Sequence, residues 1–539
     1  MSHIFNTMEM KNHEENLHFS LKSIFNSAII VLISIIISKI LTLAYRIIIA
    51  RIPTTETISG IEIYGTFTLA VMVVSFLTSF FSLGFHEGML RYISYYRGKG
   101  EISKAQFLFR FVALFTFLTS MVCAILLYIF SGTISIHLFH NPELSIYLKW
   151  FSFFIPLVTL SGAFLTVTRA YEKIGWNSFI GNILTQSVKI ILLISMLFIG
   201  LTNNAIIFSY NLSYIFVLIA SFLVCRYVIK EVLIKPEINK ETKKLVIMEV
   251  FYYSWPLALV NLLSFLFFGM DTLMIGILMD AKSVGLYNAA TPLAGLMIIS
   301  SNLFMQLFSP LISKEFGKNN ISLIRDISKQ VAKWVYLINL PFLILILFFP
   351  GTIINLLFGV NYLPAEFPLR FLAIGIFLYS IFNISQNLVS MAGRSKAVLF
   401  NMFISGLVNL ILNYFLILKW GILGAAIATM TTYSLWSMIS TIQSKYYTSI
   451  IPLKMKMIRI TLVALVSGII LFYVKRFLPE SLFIVVMECT LFLLTYILLI
   501  LVTKCLDNKD IIVIESIKNK FFKNKGSNTP KTLEFKTGP

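Results

Sequence analysis

Lys39, Arg46, Lys189 and Asp271 stand inside stretches otherwise built of Ile, Leu, Val and Phe, and the spacing gives each of them polar company. Lys39, Thr42 and Arg46 follow at i, i+3 and i+7, so they share one helical face. Asn182, Gln186 and Lys189 repeat that pattern, and Asn261, Ser264 and Asp271 do so at i, i+3 and i+10. Neutral stripes continue in Asn302, Gln306 and Ser309 and in Asn383, Asn387 and Ser390. An ionised side chain at the centre of a bilayer costs at least about 2.5 kcal/mol, so each charge calls for a polar cavity or a partner. Lys39 lies roughly 15 Å along the axis from the nearer end of its segment, too deep to reach the interface. Arg46 is close enough to do so unaided, so it has two readings. Such cations suit an anion, whereas the carboxylate suits Na⁺ or a proton, or pairs with Lys39 or Arg46 as a gate. The neutral members have a second reading as hydrogen bonds between neighbouring helices.

Other chemistries lack their residues. There is no GxxxxGK[ST], so no P-loop binds ATP. Asp271, Asp280, Asp326, Asp507 and Asp510 form no DxD pair, and His3, His13 and His18 sit in a polar tail without HExxH spacing. Cys123, Cys225, Cys489 and Cys505 show neither CxxC nor metal-ligand spacing. No metal, no cofactor and no catalytic residue are expected, which leaves a membrane glycosyltransferase or polymerase as the weakest reading.

The positioning elements follow from composition. Of 539 residues 58% are apolar and 13% charged, and runs of about twenty apolar residues recur from end to end. Such a chain is an integral membrane protein, and runs without period-2 alternation select helices over a barrel. Fourteen spans are expected, centred near residues 36, 76, 121, 158, 189, 215, 266, 300, 342, 380, 408, 432, 467 and 492. The first run, from about Ile24 to Ile49, is too long for a signal-peptide core and is read as a retained span. Basic residues test the count. Loops placed inside carry 24 Lys and Arg and those placed outside carry 7, which puts both termini in the cytoplasm. The net charge of +20 therefore reflects orientation and not nucleic-acid binding. Pro156, Pro256, Pro292 and Pro341 interrupt spans and receive no role.

An internal repeat organises the spans. GTFTLA at Gly65–Ala70 returns 220 positions later as GLYNAA at Gly285–Ala290, and RGKGEIS at Arg97 returns as FGKNNIS at Phe316. Two parallel six-helix lobes are expected, 24–228 and 252–442, joined by a basic linker at 229–251. Spans 13 and 14 (443–503) form an added pair, and 1–23 and 504–539 are cytoplasmic tails.

The motifs of both halves resemble the polysaccharide-transporter (oligosaccharide flippase) family of the multidrug/oligosaccharidyl-lipid/polysaccharide exporter superfamily. In the first half these are AR at Ala50, YGTF at Tyr64 and LGFHEGMLRY at Leu83–Tyr92. In the second they are YSWPLAL at Tyr253, DTLMIG at Asp271, VGLYNAA at Val284, AGRSK at Ala392 and GILGAAIAT at Gly421. The resemblance implies a plasma-membrane flippase that carries a polyisoprenoid pyrophosphate-linked oligosaccharide from the inner to the outer leaflet by alternating access. On that basis Lys39, Arg46 and Lys189 would bind the pyrophosphate, Thr42, Asn182, Gln186, Asn302, Gln306, Asn383 and Asn387 would contact the substrate, and Asp271 would couple Na⁺ or H⁺ or act as a gate. Glycan-assembly proteins and membrane lipids are the implied partners. A cation-coupled multidrug exporter of the same superfamily is the alternative.

Overall fold

The computed structural model describes residues 30–52, 59–477, 482–503, 505–507 and 510. The N-terminal tail with its three histidines and most of the C-terminal tail lie outside the described residues.

Among the described residues every regular element is a helix. The first half contributes α1 (Ile30–Ala50), α2 (Gly60–Phe81), α3 (Phe85–Gly98), α4 (Ile102–Thr133), α5 (Leu144–Ser152), α6 (Ile155–Ala170), α7 (Ile174–Ser178), α8 (Thr185–Phe198) and α9 (Asn203–Val228). The second contributes α10 (Lys240–Leu278), α11 (Ala281–Gly317), α12 (Ile321–Phe348), α13 (Pro350–Leu357), α14 (Glu366–Met391), α15 (Ser395–Thr448), α16 (Lys456–Phe477) and α17 (Leu482–Val502). Polar side chains start several of them: Ser59 accepts from the Glu62 amide of α2, Asn239 from Thr242 of α10, Asp280 from Ser283 of α11 and Asn320 from Leu323 of α12. Pro156 opens α6, where a missing N–H costs nothing, and the chain bends by 48° between α5 and α6.

Twelve of these helices are long and apolar enough to cross a bilayer, or thirteen if α5 and α6 count as one span. The expected fourteen divide α15, whose 54 residues would extend roughly 81 Å as one straight helix. It folds back instead. Gly421 leaves the helical region at φ 59° and ψ −137°, a conformation open to glycine. A Cβ on Gly424 would lie 1.9 Å from the Leu416 carbonyl oxygen. Asn401 and Gln443 exchange amide hydrogen bonds of 2.7 and 2.8 Å, which only antiparallel arms permit. The element is a helical hairpin.

The described residues up to Leu453 form one compact unit. Within it the repeat motifs meet, because α2 packs on α11. A Cβ on Gly65 would lie 1.7 Å from the Ala281 carbonyl oxygen, and one on Gly285 would lie 2.2 Å from that of Ile61. Beyond the other end of α2, α3 packs on α10. There the Tyr96 hydroxyl donates to Glu249 at 2.6 Å, and Arg91 stacks 4.2 Å over the Tyr253 ring. A buried cluster including Phe85, Met89, Leu108, Val112, Val167, Cys225 and Val250 fills the space behind this contact. Lys454 onward is a second unit, in which α16 packs on α17 and both Lys454 and Lys456 pair with Asp507.

Candidate functional site

The α1 stripe keeps its expected face but its members differ in surroundings. Lys39 is exposed, and Arg46, half-buried, is within electrostatic reach of it. Thr42 donates to the Ser38 carbonyl at 2.7 Å, a bond within its own helix. Arg46 in turn neighbours the phenols of Tyr64 and Tyr210. On the facing side Asn182, in the π-helical turn Phe179–Leu184, donates to Ser34 of α1 at 3.1 Å. This bond holds α1 against the segment leading into α8.

Lys189 is buried, and the structure gives it an aromatic setting that its stripe did not disclose. Its ammonium lies 4.0 Å from the Tyr210 ring centroid and 4.8 Å from that of Tyr214, and donates to the Tyr214 hydroxyl at 3.4 Å. Two electron-rich faces and one oxygen replace part of the lost hydration, which is why a lysine is tolerated here. Lys189 therefore joins Arg46 through Tyr210, while Gln186 beside it is half-buried.

Asp271 sits in a network of neutral donors. The Asn413 amide donates to one carboxylate oxygen at 2.7 Å, and the hydroxyls of Tyr287, at 2.7 Å, and Thr429 donate to the other. Asn413 also donates to the Asn409 side-chain oxygen at 3.0 Å, and its own Oδ1 is buried with no partner among the described residues. These donors come from α11 and from both arms of the α15 hairpin, so in this state the carboxylate is held within the second half rather than paired across to Lys39 or Arg46. A carboxylate held by an amide N–H and two hydroxyls, with the Asn413 and Asn409 side-chain oxygens nearby, has the chemistry of a site for a proton or a hard monovalent cation.

The remaining neutral stripes divide. Asn383 donates to Ser301 at 3.5 Å, and Asn387 accepts from Ser309 at 3.2 Å, both bonds joining α14 to α11. Asn302 and Gln306 are exposed on α11. The first pair is spent between helices and the second is open.

Sequence reasoning missed Tyr210 and Tyr214, although their i, i+4 spacing was visible, and it missed Asn413 and Thr429 as partners of Asp271. Arg51 was read as an outside-loop charge and as the second residue of the AR motif, without a partner. Its guanidinium donates to the carbonyls of Leu357 at 2.8 Å, of Asn355 at 3.4 Å and of Leu356, the C-terminal end of α13, where the helix dipole is negative. The Tyr362 hydroxyl lies 3.3 Å from the Ala50 carbonyl and 3.4 Å from that of Gly60, fastening the same junction from the other side.

Known proteins share this architecture. Residues 24–316, more than half of the chain, match the family model described as polysaccharide biosynthesis protein, and residues 256–415 match the MatE model. A putative O-antigen transporter of Shigella flexneri is 25% identical over 386 residues, covering 68% of this chain and 86% of that protein. A probable low-salt glycan biosynthesis flippase of Haloferax volcanii is 27% identical over 205 residues, 37% of this chain and 38% of its own length. Among solved structures, the lipid II flippase MurJ in an inward-closed conformation superposes with a TM-score of 0.67 over 91% of this chain and 100% of that one, at 16% identity. An inward-facing MATE-family multidrug resistance transporter does so at 0.64, over 78% of this chain and 98% of that one, at 14% identity. The chain is a multi-pass membrane protein of the family described as polysaccharide biosynthesis protein, and its fold is that of MurJ and of the MATE transporters.

Proposed function

We propose that this protein is a plasma-membrane flippase that carries a polyisoprenoid pyrophosphate-linked oligosaccharide from the inner to the outer leaflet by alternating access, for surface polysaccharide or glycan synthesis. The observation that carries the reading is the cationic run of the first half, in which Lys39 lies within electrostatic reach of Arg46, and Arg46 and Lys189 both neighbour Tyr210. A pyrophosphate leaving the headgroup layer needs charge-assisted donors, each contributing about 1.5 to 3 kcal/mol. Lys39 and Arg46 supply them directly, and Lys189 does so through the Tyr214 hydroxyl it polarises. Relatives named as an O-antigen transporter and a glycan flippase support the same substrate class. Lys39→Gln combined with Lys189→Gln should leave normal amounts of protein in the membrane while lipid-linked oligosaccharide accumulates in the inner leaflet. Normal surface glycan in that double variant would defeat the reading.

The Asp271 network supports a second element, coupling to Na⁺ or H⁺. The carboxylate, Asn409, Asn413 and Thr429 offer the oxygen donors a cation needs, and protonation of Asp271 would turn one of the two oxygens that tie the arms of α15 to α10 from acceptor to donor. A cation-coupled multidrug exporter shares this element. The cation run favours the flippase, since an exporter of cationic drugs gains nothing from lysine and arginine in its path.

A further inference from the structure

A cavity of about 380 Å³ opens among α2, α3, α5, α6, α9 and α10, and among the described residues no Lys, Arg, Asp or Glu lines it. Its polar lining is instead hydroxyl, amide and imidazole, from residues such as Ser79, Thr159, His86, Asn211 and Asn261. Two polar atoms here are buried with no hydrogen-bond partner among the described residues, His86 Nε2 and Asn211 Nδ2, and Asn211 as a whole is 1% exposed. Buried polar atoms nearly always find partners, so two orphans in one cavity point to a ligand that supplies oxygen atoms. Gly162 makes room for the imidazole, since a Cβ there would come within 3.3 Å of it. Aromatic faces complete the lining: Phe151 stacks on Tyr210 with centroids 5.1 Å apart and planes at 25°.

Neutral donors and acceptors beside flat aromatic surfaces suit a saccharide, whose hydroxyls take the former and whose C–H faces take the latter. The location narrows this further. Tyr210 and Tyr214 line the cavity and also hold the Lys189 ammonium, so one aromatic wall separates the neutral cavity from the cationic run. We propose that the cavity holds the sugar bonded directly to the pyrophosphate, with His86 Nε2 and Asn211 Nδ2 hydrogen-bonded to its oxygens. This inference rests on the flippase reading and adds to it a subsite for one part of the substrate.

The test uses the full chain, purified with its four native cysteines replaced by alanine and Ser79→Cys as a reporter inside the cavity. Alkylation of that cysteine is followed in the presence of glucose, galactose, rhamnose, N-acetylglucosamine and N-acetylgalactosamine. At least one sugar should slow alkylation, and His86→Leu or Asn211→Leu should weaken that protection about fivefold, the effect of one neutral hydrogen bond. Thermal stability provides the second readout. Asn211 Nδ2 contributes no bond among the described residues, so Asn211→Leu should not lower the melting temperature, whereas His86, whose imidazole also meets the Thr159 backbone, is read by protection alone. Protection by none of the five sugars, protection that survives both variants, or a drop in melting temperature in Asn211→Leu would overturn the proposal. Bare polyisoprenyl pyrophosphate, lacking any sugar, should bind wild type, His86→Leu and Asn211→Leu alike. If it binds none of them while a sugar still protects Ser79→Cys, the flippase reading fails and the saccharide cavity stands.

Discussion

Gly65 lies against the carbonyl of Ala281 and Gly285 against the carbonyl of Ile61, so two glycines 220 residues apart make the same contact twice. Reciprocity of this kind, residue i on j and j on i, is what a two-fold relation between like surfaces produces. It fits two parallel six-helix halves, which an even helix count leaves in one orientation. A crossing this close holds α2 and α11 backbone to backbone, without side chains that would have to repack when the halves rock.

Alanine at either glycine should therefore destabilise by about 1 to 3 kcal/mol, the usual cost of overpacking. Because one crossing serves both sites, the double variant Gly65→Ala with Gly285→Ala should cost clearly less than the sum of the singles. Thermal unfolding in detergent measures this, and strict additivity would mean that the two glycines act separately.

The Arg51 clamp predicts a change in exposure. Arg51→Gln removes the charge from the α13 carbonyls and should loosen the adjoining start of α11. Ser283, buried there, reports it: Ser283→Cys should be alkylated about tenfold faster with Arg51→Gln than without, equivalent to losing about 1.4 kcal/mol of closure. Equal rates would show that the clamp does not hold the junction closed.

Asp271→Asn preserves size but turns one oxygen into a donor facing the donors of Asn413, Tyr287 and Thr429. In reconstituted vesicles it should abolish any dependence of transport on a Na⁺ or proton gradient. Thr429→Val removes one donor and should weaken that dependence without abolishing it. An unchanged gradient response in Asp271→Asn would exclude Asp271 from coupling.

Orientation is testable with two exposed positions, Lys282 and Ser449, which the charge distribution assigns to opposite sides. In a background without native cysteines, an impermeant thiol reagent on intact cells should label Lys282→Cys and spare Ser449→Cys. The reverse pattern would invert the whole topology.

Much of the architecture was legible because lipid leaves few options. Apolar runs of bilayer length must be helices, and the two spans expected near residues 408 and 432 already divided α15, although no residue was singled out as its turn. Asp271 was conspicuous for a similar reason, as the one aspartate in an apolar run. Its partners were not, because Asn413 and Thr429 lie 142 and 158 residues further on, and a neutral residue in a span looks the same whether it serves a site or a helix contact. Asn383 and Asn387 show the ambiguity from the other side, since their amides are engaged between α14 and α11. Tyr210 and Tyr214 were hidden among the many aromatic residues of an apolar chain, and only the ammonium of Lys189 between them gives their spacing meaning.

The Arg51 clamp also has a consequence for biosynthesis. The carbonyl it grips at Leu357 lies 306 residues further along the chain. At 5 to 20 residues per second, roughly 15 to 60 s of translation separate the two ends of the contact. For that interval the first half waits in the bilayer with its guanidinium unclaimed, so it must be stable as an inserted intermediate before the junction can close. A ribosome stalled anywhere before residue 357 would leave a chain that is threaded into the membrane and still unfastened.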